Sequence, residues 1–330
     1  MTTRRKFLKA LGTGALAFPV CSLAQAQAKV PRIGFLYFGS RTDFVEVDFS
    51  GAFLKGLRDL RYVEGKNIVI EWRFAEGKYE RLAGLAAELA QLKVDMIVAA
   101  SSPGVQAAQR ATKTIPIVMV MVGNPVGAGF VASLPRPAGN ITGLSNVSLD
   151  VSIKYLELLH AAVPRLSRVA VLVNPTHPVH PYALKQIQTA AKTIGVNVLP
   201  VEASSAEQLD AAFQAMTRER AGALIVVADP LTIMQRHKIA QLAAKGRLPT
   251  MAWTRELVEA GGLMSYGQYL PEHYQRAATF VDKILKGAKP ADLPVEQSTR
   301  LELLINRKTA RALGLTIPQS LLISAEKVIE

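Results

Sequence analysis

The chain has 330 residues, 49% of them hydrophobic, which is enough to bury a large core and is a length that often divides into two lobes. Lysine and arginine (39) outnumber aspartate and glutamate (26), which gives a net charge of +13. The one cysteine is Cys21. The sequence after Cys21 contains no cysteine, which excludes a disulfide, a cysteine nucleophile and a thiolate metal site there.

The N-terminus predicts export. Arg4 and Arg5 precede an uncharged stretch, residues 10–23, that is too short to span a bilayer. Small residues in "AQAQA" offer cleavage after Ala26 or Ala28. The paired arginines resemble the twin-arginine signal, which is read by a receptor, and an ordinary secretory signal is the alternative. We expect a periplasmic protein from which a signal peptide, residues 1–28, has been removed.

Removing this segment takes away four basic residues, so the mature charge is 35 − 26, or +9. An exported protein rarely meets nucleic acid, so the basic balance indicates solubility or weak attraction to anionic surfaces. Cys21 follows "FPV" and not the small residue that a lipid-attachment site needs.

Apolar runs of strand length alternate with amphipathic helical patterns, which is typical of parallel strands buried on both faces. Two such series predict an α/β protein with two doubly wound parallel-sheet lobes. The strands of the first series are 32–38, 67–74, 95–100 and 116–122, with helices at 50–62, at 79–92 and from Pro103. The helices of the second are 149–162, 181–194, 205–220 and 231–245, with strands at 168–174, 196–202, 222–229 and 248–253.

The stretch 136–145, "RPAGNITGLS", is the predicted crossover between the lobes. The C-terminal third adds a strand-like stretch at 261–267, a helix at 273–287 and a strand with a short helix at 300–315. We expect a three-segment hinge that joins two lobes. Lobe 1 would comprise 29–143 and 268–296, and lobe 2 would comprise 144–267 and 297–330.

Ligands of open parallel sheets bind beyond the carboxyl ends of the strands, where helix N-termini also point. Ser101 and Ser102 follow the third strand and predict a site for a carboxylate or another anion, unless they only cap a helix. Gly123 and Asn124 follow the fourth strand and permit close approach of the backbone.

The second series ends its strands in a similar way. Asn174 ends one strand, and Asp229 follows the next, where a carboxylate can pair with a ligand ammonium or cap a helix. Trp253 and Tyr266 also lie at strand ends, where they suit an apolar or aromatic ligand, although such residues often pack between lobes.

Signals for catalysis and for metals are weak. His177 and His180 lie in a proline-rich loop without H-E-x-x-H spacing, and a set of three histidines on helices is predicted to be solvated: His160, His237 and His273. Phosphate-loop, dinucleotide and nucleophile-elbow motifs are missing from the sequence. We expect no catalytic residues, no metal and no cofactor.

Long stretches resemble one family, among them "FLKGLRDLRYVEGKNIVIEWRF", "TIPIVMVMVGNPVGAGFVASLPRPAGNITGLS" and "LKGAKPADLPVEQSTRLELLINRKTARALGL". They are similar to the tryptophan-binding-protein-like solute-binding proteins of bacterial ABC transporters, which have the type I periplasmic binding protein fold. The resemblance implies ligand contacts from Ser101, Ser102, Asn124, Asp229, Trp253 and Tyr266. Members usually have Asp-Pro where this chain has Asn124-Pro125.

The resulting expectation is a monomeric periplasmic binding protein without chemistry of its own. It would capture an amino acid or a related small organic solute and deliver it to an ABC permease in the inner membrane. A secreted sensor domain and an exported α/β enzyme are the alternatives.

Overall fold

The computed structural model describes residues 30–147 and 151–330. The predicted signal, with Arg4, Arg5 and both cleavage sites, lies outside them, as do the first two residues of the helix predicted at 149–162. Residues Pro31–Glu330 form one compact unit. Within the described ranges, no helix combines the length and the apolar character that crossing a bilayer requires.

The first part of this unit alternates strands and helices. Strands β1, β3 and β4 are almost wholly buried because helices cover both faces of their sheet. The elements are β1 (Arg32–Tyr37), α1 (Arg41–Glu46), α2 (Phe49–Asp59), β2 (Val69–Phe74), α3 (Arg81–Gln91), β3 (Met96–Ala100), α4 (Ser101–Ala111), β4 (Ile117–Gly123) and β5 (Ile141–Asn146).

The second part repeats this alternation. Its elements are α5 (Ser152–Ala162), β6 (Arg168–Val173), α6 (His180–Thr193), β7 (Asn197–Glu202), α7 (Gln208–Arg218), β8 (Ala223–Val226), α8 (Pro230–Met234), α9 (Arg236–Lys245), β9 (Thr250–Ala252), α10 (Arg255–Glu259) and β10 (Met264–Gly267). The helix predicted at 231–245 is two helices, because the backbone leaves the helical region at Gln235, with φ −96° and ψ 18°.

The last part contributes α11 (Leu270–Leu285), a 3-10 turn (Pro290–Asp292), β11 (Glu296–Gln297), β12 (Glu302–Asn306), α12 (Arg307–Leu313), α13 (Gln319–Ser324) and β13 (Lys327–Ile329). One sheet has the order β11-β5-β4-β3-β1-β2, and the other has the order β13-β12-β10-β9-β8-β6-β7. All neighbouring strands are parallel except β10 and β12. The predicted α/β fold with two parallel-sheet lobes is confirmed. Lobe 1 is the part built on the first sheet, and lobe 2 is the part built on the second.

The chain passes between the sheets after β5, after β10 and after β11. Helix α11 follows β10 and packs against α2 in lobe 1. A Cβ atom at Gly56 of α2 would lie 2.3 Å from the carbonyl oxygen of Gln275, so glycine is needed for this close helix pair. Strand β11 pairs with β5 in lobe 1, and β12 then pairs with β10 in lobe 2.

The crossover predicted at 136–145 is wrong, because Ile141–Asn146 is strand β5 of the first sheet. The lobe boundary predicted after residue 143 therefore divides a strand. Two polar side chains of this strand are buried with partners: Thr142 Oγ1 donates to the Leu293 carbonyl (2.6 Å), and Asn146 Nδ2 donates to the Met121 carbonyl (2.9 Å). Gly143 has φ +132°, and a Cβ there would lie 2.2 Å from the Met119 carbonyl oxygen. Residues 141–146 therefore form a strand, although their glycine and polar residues resemble a loop in sequence.

Candidate ligand-binding site

A cavity lies between the lobes, at the carboxyl ends of strands from both sheets. It contains about 480 Å³ of space not filled by protein atoms, counting the solvent at its mouth. Ser101, Ser102 and Gly123 border it from lobe 1, and Asp229 and Trp253 border it from lobe 2. Residues selected at strand ends therefore meet at one cavity. Ligand contact by each of them stays a prediction.

Three aromatic side chains of lobe 1 form one side of the cavity, and we call them the aromatic wall: Tyr37, Phe49 and Tyr274. The rings of Phe49 and Tyr274 stack with centroids 4.4 Å apart, and Phe44 packs against Tyr37 at 4.6 Å. These contacts fix the rings in place. The aromatic wall therefore suits an aromatic or large apolar ligand group.

Helix α4 begins at the cavity with Ser101. This residue has φ +66°, in the left-handed region that non-glycine residues rarely adopt. Its hydroxyl is buried and has no hydrogen-bond partner within the described part of the chain, and no side chain caps the start of α4. The capping role considered for the two serines is therefore not observed. The first amides of an 11-residue helix and an unpartnered hydroxyl together favour an anionic group here.

Asp229 is the acidic group of the cavity and is 2% exposed. Its carboxylate accepts hydrogen bonds from Leu231 N (2.7 Å), from Asn174 Nδ2 (3.0 Å) and from the hydroxyl of Tyr79. The bond from Leu231 caps α8. The helix-capping role expected of Asp229 is therefore observed, whereas its pairing with a ligand ammonium stays a prediction for a residue that borders the cavity.

Polar contacts join the lobes across the cleft, and two of them reach buried side chains of lobe 2. Tyr79 of lobe 1 donates to Asp229, and burial followed by the charge of Asp229 raises the pKa of Tyr79 well above its usual range. The second contact joins Glu46 Oε1 of lobe 1 to Nη2 of Arg236, which is buried in lobe 2, at 2.5 Å. The hydrogen bond from Arg236 lowers the pKa of Glu46. Both contacts join a residue of lobe 1 to a residue of lobe 2.

His177 and His180 are buried and stacked, with ring centroids 4.2 Å apart. A ring nitrogen of each lies within 4.8 Å of an Asp229 carboxylate oxygen, which resembles a metal site. However, His180 Nδ1 accepts from Asn174 N (2.8 Å), and its Nε2 lies 3.0 Å from the Ala228 carbonyl oxygen. Because a metal ligand needs a free ring-nitrogen lone pair, this geometry favours a hydrogen-bond network over a metal.

Other predicted side chains lie elsewhere. Asn124 Oδ1 accepts from Gly127 N (2.9 Å) and so caps the turn after β4. Tyr266 packs against the core and does not border the cavity. Asn174 does not border the cavity, and its side chain donates to Asp229 as described above. His273, expected to be solvated, is 2% exposed within α11.

The match to a family of known proteins extends over most of the chain. Residues 45–329 match the family described as ABC transporter substrate binding protein. The chain belongs to this family.

This substrate-binding protein has relatives whose ligands are identified. A tyrosine-binding protein of Clostridioides difficile (strain R20291) is 29% identical over 264 residues, which is 80% of this chain and 75% of the relative. An ABC domain from Streptococcus pneumonia in complex with L-Trp is 26% identical, with a TM-score of 0.82 over 91% of this chain and 99% of that one.

A ligand-free, open substrate-binding protein with adhesive properties from Clostridium difficile is 27% identical over 91% of this chain and 99% of that one. Its TM-score is only 0.62. At almost the same identity, the lobes of this substrate-binding protein are thus arranged more like those of the L-Trp complex than like those of the open structure.

Sequence reasoning missed several residues of the site: the aromatic wall and His177, which border the cavity, and Tyr79, which donates to Asp229. Tyr37 ends β1, so the strand-end rule that selected Asp229 also selects it. His177 follows β6 by four positions and was discounted as part of a loop. Phe49, Tyr274 and Tyr79 lie on or before helices and carry no comparable signal.

Proposed function

We propose that this protein captures an α-amino acid with an aromatic side chain between its lobes. The observation that carries the proposal is the arrangement of the cavity. Asp229 in lobe 2 faces Ser101 and the start of α4 in lobe 1, and the aromatic wall lies beside them. A carboxylate and a group of anion-binding donors that border the same cavity match the ammonium and carboxylate of a zwitterion.

The identified ligands of the relatives support this proposal. Tyrosine for one and L-tryptophan for the other are both α-amino acids with an aromatic side chain. The aromatic wall is the surface of this chain that suits such a side chain, since aromatic rings prefer stacked or edge-to-face neighbours.

Calorimetric titration of the twenty amino acids tests the proposal. We expect saturable binding of L-phenylalanine, L-tyrosine or L-tryptophan, and much weaker binding of aspartate, lysine and glycine. Since a ligand at 100 times its dissociation constant adds about 2.7 kcal/mol of stability, the same ligands should raise the melting temperature. Failure of all three aromatic amino acids to bind would overturn the proposal.

Trp253 offers a second readout. It borders the cavity, and its indole Nε1 donates to Thr232 Oγ1 at 3.1 Å. Trp72 lies in β2 and donates to Glu64 Oε1 at 2.8 Å. We expect the ligand to change tryptophan emission in the Trp72→Phe variant and not in the Trp253→Phe variant.

We further propose that the protein is exported to the periplasm and serves an ABC importer as a monomer, without chemistry of its own. Replacement of Arg4 and Arg5 by lysine should leave precursor in the cytoplasm. Deletion of the gene should abolish uptake of the bound amino acid, and mass spectrometry should recover the ligand unchanged. Export of the lysine variant would exclude the twin-arginine route, and unchanged uptake after deletion would contradict the importer role.

A further inference from the structure

His177 is a polar side chain of the cavity that the proposed function does not use. It follows β6, borders the cavity and is 4% exposed. Its ring stacks on that of His180 with an angle of 24° between the planes. Each ring nitrogen of a buried imidazole is either a donor or an acceptor, and the hydrogen bonds around the ring show which.

His180 is fixed and forms a rigid support for His177. The backbone N–H of Asn174 donates to His180 Nδ1, so the proton of the neutral ring lies on Nε2. That Nε2–H donates to the carbonyl of Ala228 at 3.0 Å. With both nitrogens used, His180 has no group left for a ligand.

His177 has one nitrogen left over. The backbone N–H of Val179 is directed at His177 Nδ1 at 3.5 Å, which makes Nδ1 the acceptor and places the proton on Nε2. Within residues 30–147 and 151–330, the only hydrogen bond to the His177 ring is the one to Nδ1, so Nε2 has no partner there. Burial, and then the neighbouring His180, lower the pKa of His177 to about 3, so the ring is a neutral donor near neutral pH.

We propose that His177 Nε2–H and Ser101 Oγ–H are the two donors that hold the ligand carboxylate, one from each lobe. This inference rests on the proposed function. A ring nitrogen of His177 lies within 4.8 Å of an Asp229 oxygen, so lobe 2 places this imidazole beside the carboxylate. The ammonium and carboxylate of an α-amino acid are separated only by the α-carbon and fit such a pair. Ser101 supplies the matching hydroxyl from lobe 1, which has no partner in the part of the chain that the structure describes.

This arrangement assigns different tasks to the two ends of the ligand. The ammonium binds Asp229 within lobe 2. The carboxylate contacts both lobes, so it favours the closed cleft. An amine without the carboxylate therefore binds lobe 2 but gains little from closure.

The test compares the tightest of the three aromatic amino acids with the amine that lacks its carboxylate: phenethylamine, tyramine or tryptamine. His177→Leu should weaken binding of the amino acid about 10- to 100-fold, because a hydrogen bond to a charged group is lost. Binding of the amine should change no more than about threefold. His177→Gln keeps an N–H donor and should restore most of the affinity.

Ser101→Ala should give the same selective loss from the other lobe, and it keeps the test valid if His177→Leu does not fold. His160→Leu, an exposed histidine on α5, is the matched control and should change neither affinity. Equal losses for the amino acid and the amine would show that His177 only supports the fold, and would overturn the inference. An unchanged amino-acid affinity would do the same. If the wild-type protein binds no aromatic amino acid, the proposed function fails instead, and this inference fails with it.

Discussion

Lobe 1 and lobe 2 contribute unlike surfaces to the same cavity. Lobe 1 supplies the aromatic wall and a helix start at Ser101 with a left-handed backbone and an unpartnered hydroxyl. Lobe 2 supplies a polar group in which Asp229 is held by Asn174, and His180 supports His177. The polar groups of lobe 2 are largely hydrogen-bonded to one another, whereas the Ser101 hydroxyl of lobe 1 has no partner among the described residues. We infer that lobe 2 orients the charged end of the ligand and that lobe 1 encloses its side chain on closure.

The largest effect on binding is expected at the polar group of lobe 2. Asp229→Ala leaves a ligand ammonium buried without a partner and should weaken binding by roughly 2–5 kcal/mol. It also removes the cap of α8, at about 1 kcal/mol of stability. Asp229→Asn keeps an oxygen for the cap, so it should lose affinity with a smaller loss of stability. Calorimetry and thermal unfolding separate the two quantities.

Asp210→Asn is the control for this variant. Asp210 is an exposed aspartate of lobe 2 that pairs with Lys238, and its loss should leave affinity unchanged. Wild-type affinity in Asp229→Asn would mean that Asp229 only caps α8, and the contrast between the lobes would then lose its main support.

Stability should depend on pH through buried groups that lie mainly in lobe 2. Burial lowers the pKa of His177 to about 3 and lowers that of His180, whereas an unfolded histidine titrates near pH ~6.5. Between these values the unfolded chain binds protons that the folded chain does not. The free energy of unfolding therefore falls on acidification, by up to about 1.4 kcal/mol per pH unit for each such histidine. Burial also lowers the pKa of His273 in lobe 1, so this histidine likewise makes the folded protein less stable on acidification.

Glu256 in lobe 2 acts in the opposite direction, because burial raises its pKa to about 7 from 4.5. Its contribution to stability falls as the pH rises through that interval. Urea unfolding at about pH 5 and about pH 8 checks both signs. His177→Gln should lose less stability on acidification than the wild-type protein, and Glu256→Gln should gain stability at the higher pH. Parallel pH profiles for all three proteins would contradict this assignment.

The contact between Tyr79 and Asp229 should matter less than Asp229 itself. Tyr79→Phe removes a donor that reaches lobe 2 from lobe 1, and its loss should reduce ligand affinity about tenfold by favouring the open cleft. Trp72, which contacts Glu64 within lobe 1, provides the control variant Trp72→Phe. Small-angle scattering of the liganded proteins should show a less compact Tyr79→Phe. A profile identical to that of the wild-type protein would mean that this contact does not stabilise closure.

The smallest effect is expected at the rim of the cleft. Glu46 is 53% exposed, so solvent screens its contact with Arg236. Glu46→Gln should weaken binding by less than about 1 kcal/mol, and the effect should shrink in high salt. Asp59→Asn removes a comparably exposed pair with Lys55 inside lobe 1 and should have no effect on affinity. Equal effects of the two variants would show that Glu46 does not act through closure.

Sequence patterns predicted what depends on regular periodicity. Buried apolar runs such as 96–100 gave both parallel sheets, and the carboxyl-end rule selected Ser101, Asp229 and Trp253, which meet at the cavity. Strand β5 was missed because two of its polar residues, Thr142 and Asn146, are buried through hydrogen bonds to distant parts of the chain, at Leu293 and Met121.

The sequence did not predict that the histidines are buried, for a related reason. The partners of His180 are backbone groups of Asn174 and Ala228, and only the tertiary fold brings the second of these close. The aromatic wall likewise joins Tyr37 and Phe49 to Tyr274, from the opposite end of the chain. Such contacts carry no local signal.

The central claim is that the cleft recognises a zwitterion, with its ammonium in lobe 2 and its carboxylate between the lobes. Calorimetry of the wild-type protein with L-phenylalanine, phenethylamine and 3-phenylpropionate tests it most directly, because the three share one side chain and differ in charge. We expect L-phenylalanine to bind at least about tenfold more tightly than either analogue, since each analogue leaves a polar group of the cavity without its partner. Binding of 3-phenylpropionate as tightly as L-phenylalanine would contradict the role of Asp229 and, with it, the account.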